Sequence, residues 1–253
     1  MKLKHLTIAA VAMLTASGAA FAQQAGDNVI NLGWFHLSPQ VKSDPLRVTG
    51  SSIPGVPAAL NPSLSHTGAQ VDDADTLGIT FAHFFTDNIA VEGVFGVPPK
   101  FRLYGTGSLA LPGGGSLASA KQWSPALLLK YYFGEATDKW RPFVGIGASY
   151  FWYSNIELTP GFQQLAGYAL TVGGTGTTTA KLTNSWAPVF NAGINYNMDK
   201  HWTLAFSVSY IPVSTTAKLT TTGVGAYGPI TTTSEAKVKL NPVVTFLSLG
   251  YRF

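Results

Sequence analysis

The sequence predicts one eight-stranded antiparallel transmembrane β-barrel of the outer-membrane type. Three observations carry that expectation. Large apolar and small polar residues alternate in eight separate stretches, the connections between them alternate short and long, and only 11% of residues are charged. A soluble domain averages about 25% charged residues. A surface in water needs that charge for solubility, whereas a wall facing hydrocarbon does not.

The chain opens with Lys2 and Lys4, an apolar run over residues 6–16, and Ala20-Phe21-Ala22. A short positive region, an apolar core and an A-x-A site together describe a secretory signal peptide over residues 1–22. Its core is too short for a transmembrane helix. The barrel is expected to occupy residues 23–253. Cysteine is absent, which excludes disulfides and thiolate metal sites. Without Lys2 and Lys4, 14 basic residues face 12 acidic ones, so no charge argument points to nucleic acid.

Successive side chains of a strand point to opposite faces, so alternation assigns each residue to lipid or lumen. The first strand, about 29–37, is the least regular. In the second, Leu77, Ile79, Phe81 and Phe85 oppose Gly78, Thr80, Ala82 and Phe84. The third sets Ile89, Val91, Phe95 and Val97 against Ala90, Glu92, Val94 and Gly96. In the fourth, Trp123, Leu127, Leu129, Tyr131 and Phe133 face out, with Ala126, Leu128, Lys130 and Tyr132 inside. The fifth, 143–153, turns Phe143, Gly145, Gly147, Ser149 and Phe151 inward. The sixth, 186–197, turns Val189, Asn191, Gly193 and Asn195 inward. The seventh is the clearest: Trp202, Leu204, Phe206, Val208 and Tyr210 form an apolar face with aromatics at both ends, as interfacial girdles require. The eighth closes the chain, with Phe246, Ser248, Gly250 and Arg252 on the inner side.

Short turns are expected at 86–88, 134–139 and 197–200. Long loops are expected at 42–70, 105–118, 158–182 and 218–234, rich in Gly, Pro, Ser and Thr. Short periplasmic turns and long extracellular loops are the usual asymmetry. Both termini then fall on the periplasmic side.

With eight strands placed, the chain resembles the OmpW family of outer-membrane proteins. The carrying residues are Asp75-Thr76-Leu77-Gly78-Ile79-Thr80-Phe81, Thr86-Asp87-Asn88-Ile89-Ala90-Val91-Glu92, Tyr132-Phe133-Gly134, Arg141-Pro142-Phe143-Val144-Gly145-Ile146-Gly147, Asn184-Ser185-Trp186 and Gly250-Tyr251-Arg252-Phe253. Their order and spacing, rather than any one piece, make the match. It implies a narrow barrel that passes small hydrophobic molecules. The loops depart most from the family, above all the long, Pro-rich 42–70.

Other patterns weigh little. Gly105-Thr-Gly107-Ser-Leu-Ala110 imitates a dinucleotide fingerprint, but a Pro-Gly-Gly-Gly loop follows where that motif needs a helix. His36, His66, His83 and His201 have no partners at metal-ligand spacing. No cofactor, metal or catalytic site is expected; the expected partners are membrane lipids and small hydrophobic solutes.

The lumen is more informative. Eight strands enclose a space barely wide enough for side chains, which excludes a general aqueous pore. The expected substrate path is Phe84, Val94, Leu128, Phe143, Phe151 and Phe246. Three inward charges, Glu92, Lys130 and Arg252, are expected to plug its periplasmic end, since an uncompensated charge in a low-dielectric lumen is costly. A solute stopped by that plug could leave sideways into the bilayer. Pro98, Pro99, Pro125, Pro188, Pro212 and Pro242 lie toward the extracellular halves of their strands and donate no ladder hydrogen bond. The alternative is a structural or adhesion barrel with a packed lumen, acting through its loops.

Overall fold

The alternating segments fold as strands because each carries one face that suits hydrocarbon and one that suits a narrow interior. The computed structural model describes residues 24–253; the expected leader lies outside the described residues. Eight wall strands run β1 (Asn28–Ser38), β2 (Ala74–Phe84), β3 (Ile89–Gly96), β4 (Ala126–Tyr132), β5 (Trp140–Leu158), β6 (Ser185–Asn197), β7 (Trp202–Tyr210) and β8 (Val243–Arg252). Each pairs antiparallel with its neighbours, and β1 closes the barrel on β8 from Val29 opposite Arg252 to Ser38 opposite Val243. Among the described residues no helix is long and apolar enough to cross a membrane.

The faces are as the alternation assigns them. Leu77 is 63% exposed and Leu127 61% on the outer wall, while Phe84, Leu128 and Phe151 are buried inside. At one position the backbone itself makes room. A Cβ on Gly78 would lie 1.9 Å from Phe35 Cε2, because the Phe35 ring lies across that glycine. The ring is stacked on Phe246 with centroids 3.9 Å apart. Phe35 is thus a lumen residue of the irregular first strand.

The expected long loops are the main correction. Beyond the wall the chain does not become irregular; it re-pairs into a crown. Thr67–Val71, Lys100–Gly107, Ser116–Trp123 and the upper part of β5 form one layer. Thr175–Leu182, Ser214–Gly225 and Gly228–Lys239 form the other, with Lys42–Ser43 and Arg47–Ser51 along its far side. Threonine explains the misreading. Thr177, Thr178 and Thr179 stand opposite Thr222, Thr221 and Thr220, which in turn stand opposite Thr231, Thr232 and Thr233. A β-branched residue suits a pleated sheet, although runs of Thr and Gly read as loop.

Two helices pack against the crown: α1 (Val56–Leu64) and α2 (Pro160–Leu170). The α2 start is specified locally, by Thr159 accepting from the Phe162 N–H and by proline in the first turn. Its residues Phe162, Ala166 and Leu170 fall at four-residue spacing and are buried with Leu117 of one layer and Leu219 of the other. The crown interior is therefore apolar.

Candidate functional site

The lumen has three levels. At the end carrying the short turns, Val29, Ala82, Phe84, Ala90, Tyr132 and Phe143 pack together as a floor. The Tyr132 ring lies 5.0 Å from both Phe84 and Phe143. Phe84 and Phe143, expected along the solute path, are therefore floor residues. They share the inward phase of the path residues but sit one or two pleats nearer the turns, which alternation alone does not distinguish.

The next level is polar. Lys130 Nζ lies 2.6 Å from Glu92 Oε1, with both side chains 6% exposed. The Thr80 hydroxyl donates to Glu92 Oε2 at 3.2 Å, and the Asn31 amide donates to Thr80 Oγ1 at 2.9 Å. Lys130 Nζ also stands 4.4 Å above the Phe143 ring centre, a favourable position for a cation. The buried pair thus has the additional hydrogen bonds that make an ion pair tolerable away from water.

Arg252 does not join it. Its Nε donates to the Lys200 carbonyl at 2.8 Å and lies 3.6 Å from Asp27 Oδ2, near the turns. Of the three residues expected as a plug, Glu92 and Lys130 are paired, and Arg252 lies nearer the turns. A fourth inward charge, Arg141, is 0% exposed, contacts the Tyr132 ring at 5.4 Å and donates to the Asp87 carbonyl. Its signal was present, since Arg141 shares the inward phase of Phe143 and Gly145; β5 simply begins earlier, at Trp140.

Above the pair is a cavity of about 320 Å³. Val94, Leu128, Phe151 and Phe246 line it together with Phe35, and Thr80 and Glu92 stand at its base. Its lining then passes to Phe95, Val97 and Trp123, which are exposed on the outer wall. There the β3–β4 ladder ends at Val94 opposite Ala126, and the next bond between these chains runs from the Gln122 N–H to the Pro99 carbonyl at 3.1 Å. Pro98, Pro99 and Pro125 flank the gap, and none has an N–H to close it.

The remaining prolines do not flank this gap. Pro188 is paired with Ala148 inside an unbroken β5–β6 ladder, and the Pro242 carbonyl accepts from Ile211. Pro188 and Pro212 lie beyond Phe190 opposite Tyr210, the last β6–β7 partners, and neither lines the cavity.

A second cavity, about 140 Å³, lies in the crown among Leu46, Val71, Phe101, Leu103, Leu117, Phe162, Leu219 and Val238. Leu37, Gln122 and Pro242 line both cavities, so the two adjoin. His36 sits on the outside, its Nδ1 2.9 Å from Asp75 Oδ1. Among the described residues no His, Asp and Glu side chains gather in a metal-binding group.

Residues 41–253 match the sequence model of the OmpW family. The chain belongs to the OmpW family. It is 30% identical to outer membrane protein W of Escherichia coli over 252 residues, covering 99% of this chain and 100% of that one. It is 22% identical over 187 residues to PahQ of Pseudomonas aeruginosa, described as a dibenzothiophene metabolism operon protein; the match covers 73% of this chain and 74% of that protein. The crystal structure of the outer membrane protein OprG from Pseudomonas aeruginosa superimposes with a TM-score of 0.73 and 26% identity, over 92% of this chain and 99% of that one. This OmpW-family chain is an outer-membrane β-barrel.

Proposed function

We propose that this barrel admits small hydrophobic molecules through its crown and releases them sideways into the outer membrane. The crown faces outward and both termini face the periplasm, after removal of the 1–22 leader. Solutes enter the crown cavity, pass Leu37 and Gln122, and reach the space lined by Val94, Leu128, Phe151 and Phe246. The Glu92–Lys130 pair and the aromatic floor stop further descent.

One observation carries this reading: the lower cavity continues from lumen-facing to outward-facing residues through the gap beside Pro98, Pro99 and Pro125. Apolar walls favour an apolar solute by removing its surface from water, and a buried ion pair disfavours its passage. The name of PahQ ties one relative to the metabolism of an apolar polycyclic compound, which supports the same class of cargo. An adhesion barrel with a packed lumen would have no use for two adjoining cavities.

The test compares uptake of a slender apolar solute with that of a matched hydrophilic one, in cells with and without the protein. Faster uptake of the apolar solute alone supports the conduit. Equal rates for both, with folded barrel present, refute it.

A further inference from the structure

The six cations of one crown layer are arranged in a way that neither the fold nor the conduit requires. Along Thr175–Leu182, Ser214–Gly225, Gly228–Lys239 and the two short strands beside them lie Lys42, Arg47, Lys181, Lys218, Lys237 and Lys239, all exposed. Only two carboxylates, Asp44 and Glu235, share that layer. Alternation directs these cations outward, because the residues between them, such as Ala180, Ala217, Leu219, Ala236 and Val238, line the crown cavity.

The register sets like charges against each other at two places on this face. Lys181 stands directly opposite Lys218, and Lys42 directly opposite Lys239. Like charges directly opposite one another weaken a strand pair. Lysines on an edge strand can be explained as protection against unwanted pairing, but Lys218, Lys237 and Lys239 lie on the two interior strands. None of the six is in an ion pair, whereas Lys100 on the other layer is held 2.9 Å from Glu157. Glu235, between Lys218 and Arg47 in the register, is the only carboxylate within their row.

We propose that this outer face binds the phosphate groups of outer-leaflet glycolipid headgroups. An anion placed between opposed lysines converts their repulsion into charge-assisted hydrogen bonds. The level fits. Lys239 lies four residues beyond Val243, the last wall position of β8; even fully extended at about 3.3 Å per residue and tilted about 40°, those residues place the Lys42 and Lys239 pair no more than roughly 10 Å above the apolar belt. A barrel's outward face at that height meets headgroups, whose phosphates the bilayer holds at high local concentration. The proposal rests on the crown facing the cell exterior.

The test uses the full mature barrel in neutral detergent, with thermal unfolding as the readout. Three probes are added: lipopolysaccharide with phosphorylated lipid A, the same material dephosphorylated, and inorganic phosphate. The phosphorylated glycolipid should raise the midpoint of the wild type and of a Lys139→Gln/Lys200→Gln control. That shift should be lost in Lys42→Gln/Lys218→Gln/Lys239→Gln and suppressed by added salt. A Lys218→Gln single variant serves if the triple variant does not fold, and should lose part of the shift. Equal shifts with the dephosphorylated probe, no shift at all, or an unaltered Lys-to-Gln variant overturn the proposal. A full shift from inorganic phosphate alone overturns the choice of a lipid. Orientation is read separately, by labelling Ala226→Cys on intact cells with an impermeant thiol reagent; the chain has no other cysteine.

Discussion

Lys130 Nζ lies 2.6 Å from Glu92 Oε1 and 4.4 Å from the centre of the Phe143 ring, so a single ammonium joins the polar level of the lumen to the floor beneath it. The two residues stand on neighbouring wall strands, with Ala90 opposite Lys130 and Glu92 opposite Leu128. Removing one member leaves the other charge buried without its partner. Lys130→Met or Glu92→Leu alone should cost about 3–5 kcal/mol in urea unfolding from detergent micelles, and the double variant should recover most of that. Single variants as stable as the wild type would show that the pair does not hold the lumen.

Gly78 gives a second expectation. An added methyl would meet Phe35 Cε2 at 1.9 Å and push the ring off Phe246. Gly78→Ala should cost about 1–3 kcal/mol, the usual range for overpacking. Gly78→Ala combined with Phe35→Ala should show little further loss beyond Phe35→Ala alone. Urea midpoints of the three variants check this.

The lower cavity can be filled from Ala126, the last ladder partner beside the gap. Ala126→Phe should bring uptake of an apolar solute close to that of cells lacking the protein, with the folded fraction on heat-modifiability gels unchanged. Uptake at the wild-type rate by a folded variant would place the path elsewhere.

The turn between β6 and β7 should carry a pH signature. Asp199 accepts from the backbone N–H groups of Trp202 at 2.8 Å and His201 at 2.7 Å, and these bonds hold its carboxyl below the usual range. A lowered folded-state pKa stabilises above the unfolded-state value and is lost as pH falls through the folded one. Asp199→Asn should therefore unfold faster than the wild type at neutral pH. The difference should fade in acid, below about pH 4, the ordinary range for Asp. Unfolding rates across pH test it.

The wall was legible in the sequence because hydrocarbon on one side and a narrow lumen on the other impose a strict period of two. That constraint located all eight strands and put Glu92 and Lys130 on one interior. It weakened wherever water replaced lipid. In the crown, Thr220–Thr222 and their partners carry no apolar outer face, so strands there resemble loop. Depth along the lumen was also invisible: Phe84 and Phe151 have the same inward phase, yet one is floor and the other lines a cavity. The proline gap needed the register, because only pairing shows that Pro98 and Pro99 face Pro125 across a broken ladder beside the cavity, while Pro188 is held on its β5 side by a continuous one.

Uptake through that gap is the most direct measurement. Apolar and matched hydrophilic solutes should be followed in cells carrying the wild type or Pro98→Ala/Pro99→Ala/Pro125→Ala, whose restored N–H groups can extend the β3–β4 ladder. The wild type should accelerate the apolar solute alone, and the triple variant should lose most of that acceleration while remaining folded. A folded triple variant that matches the wild type, or a wild type that accelerates both solutes alike, would contradict lateral release of hydrophobic molecules from the lumen.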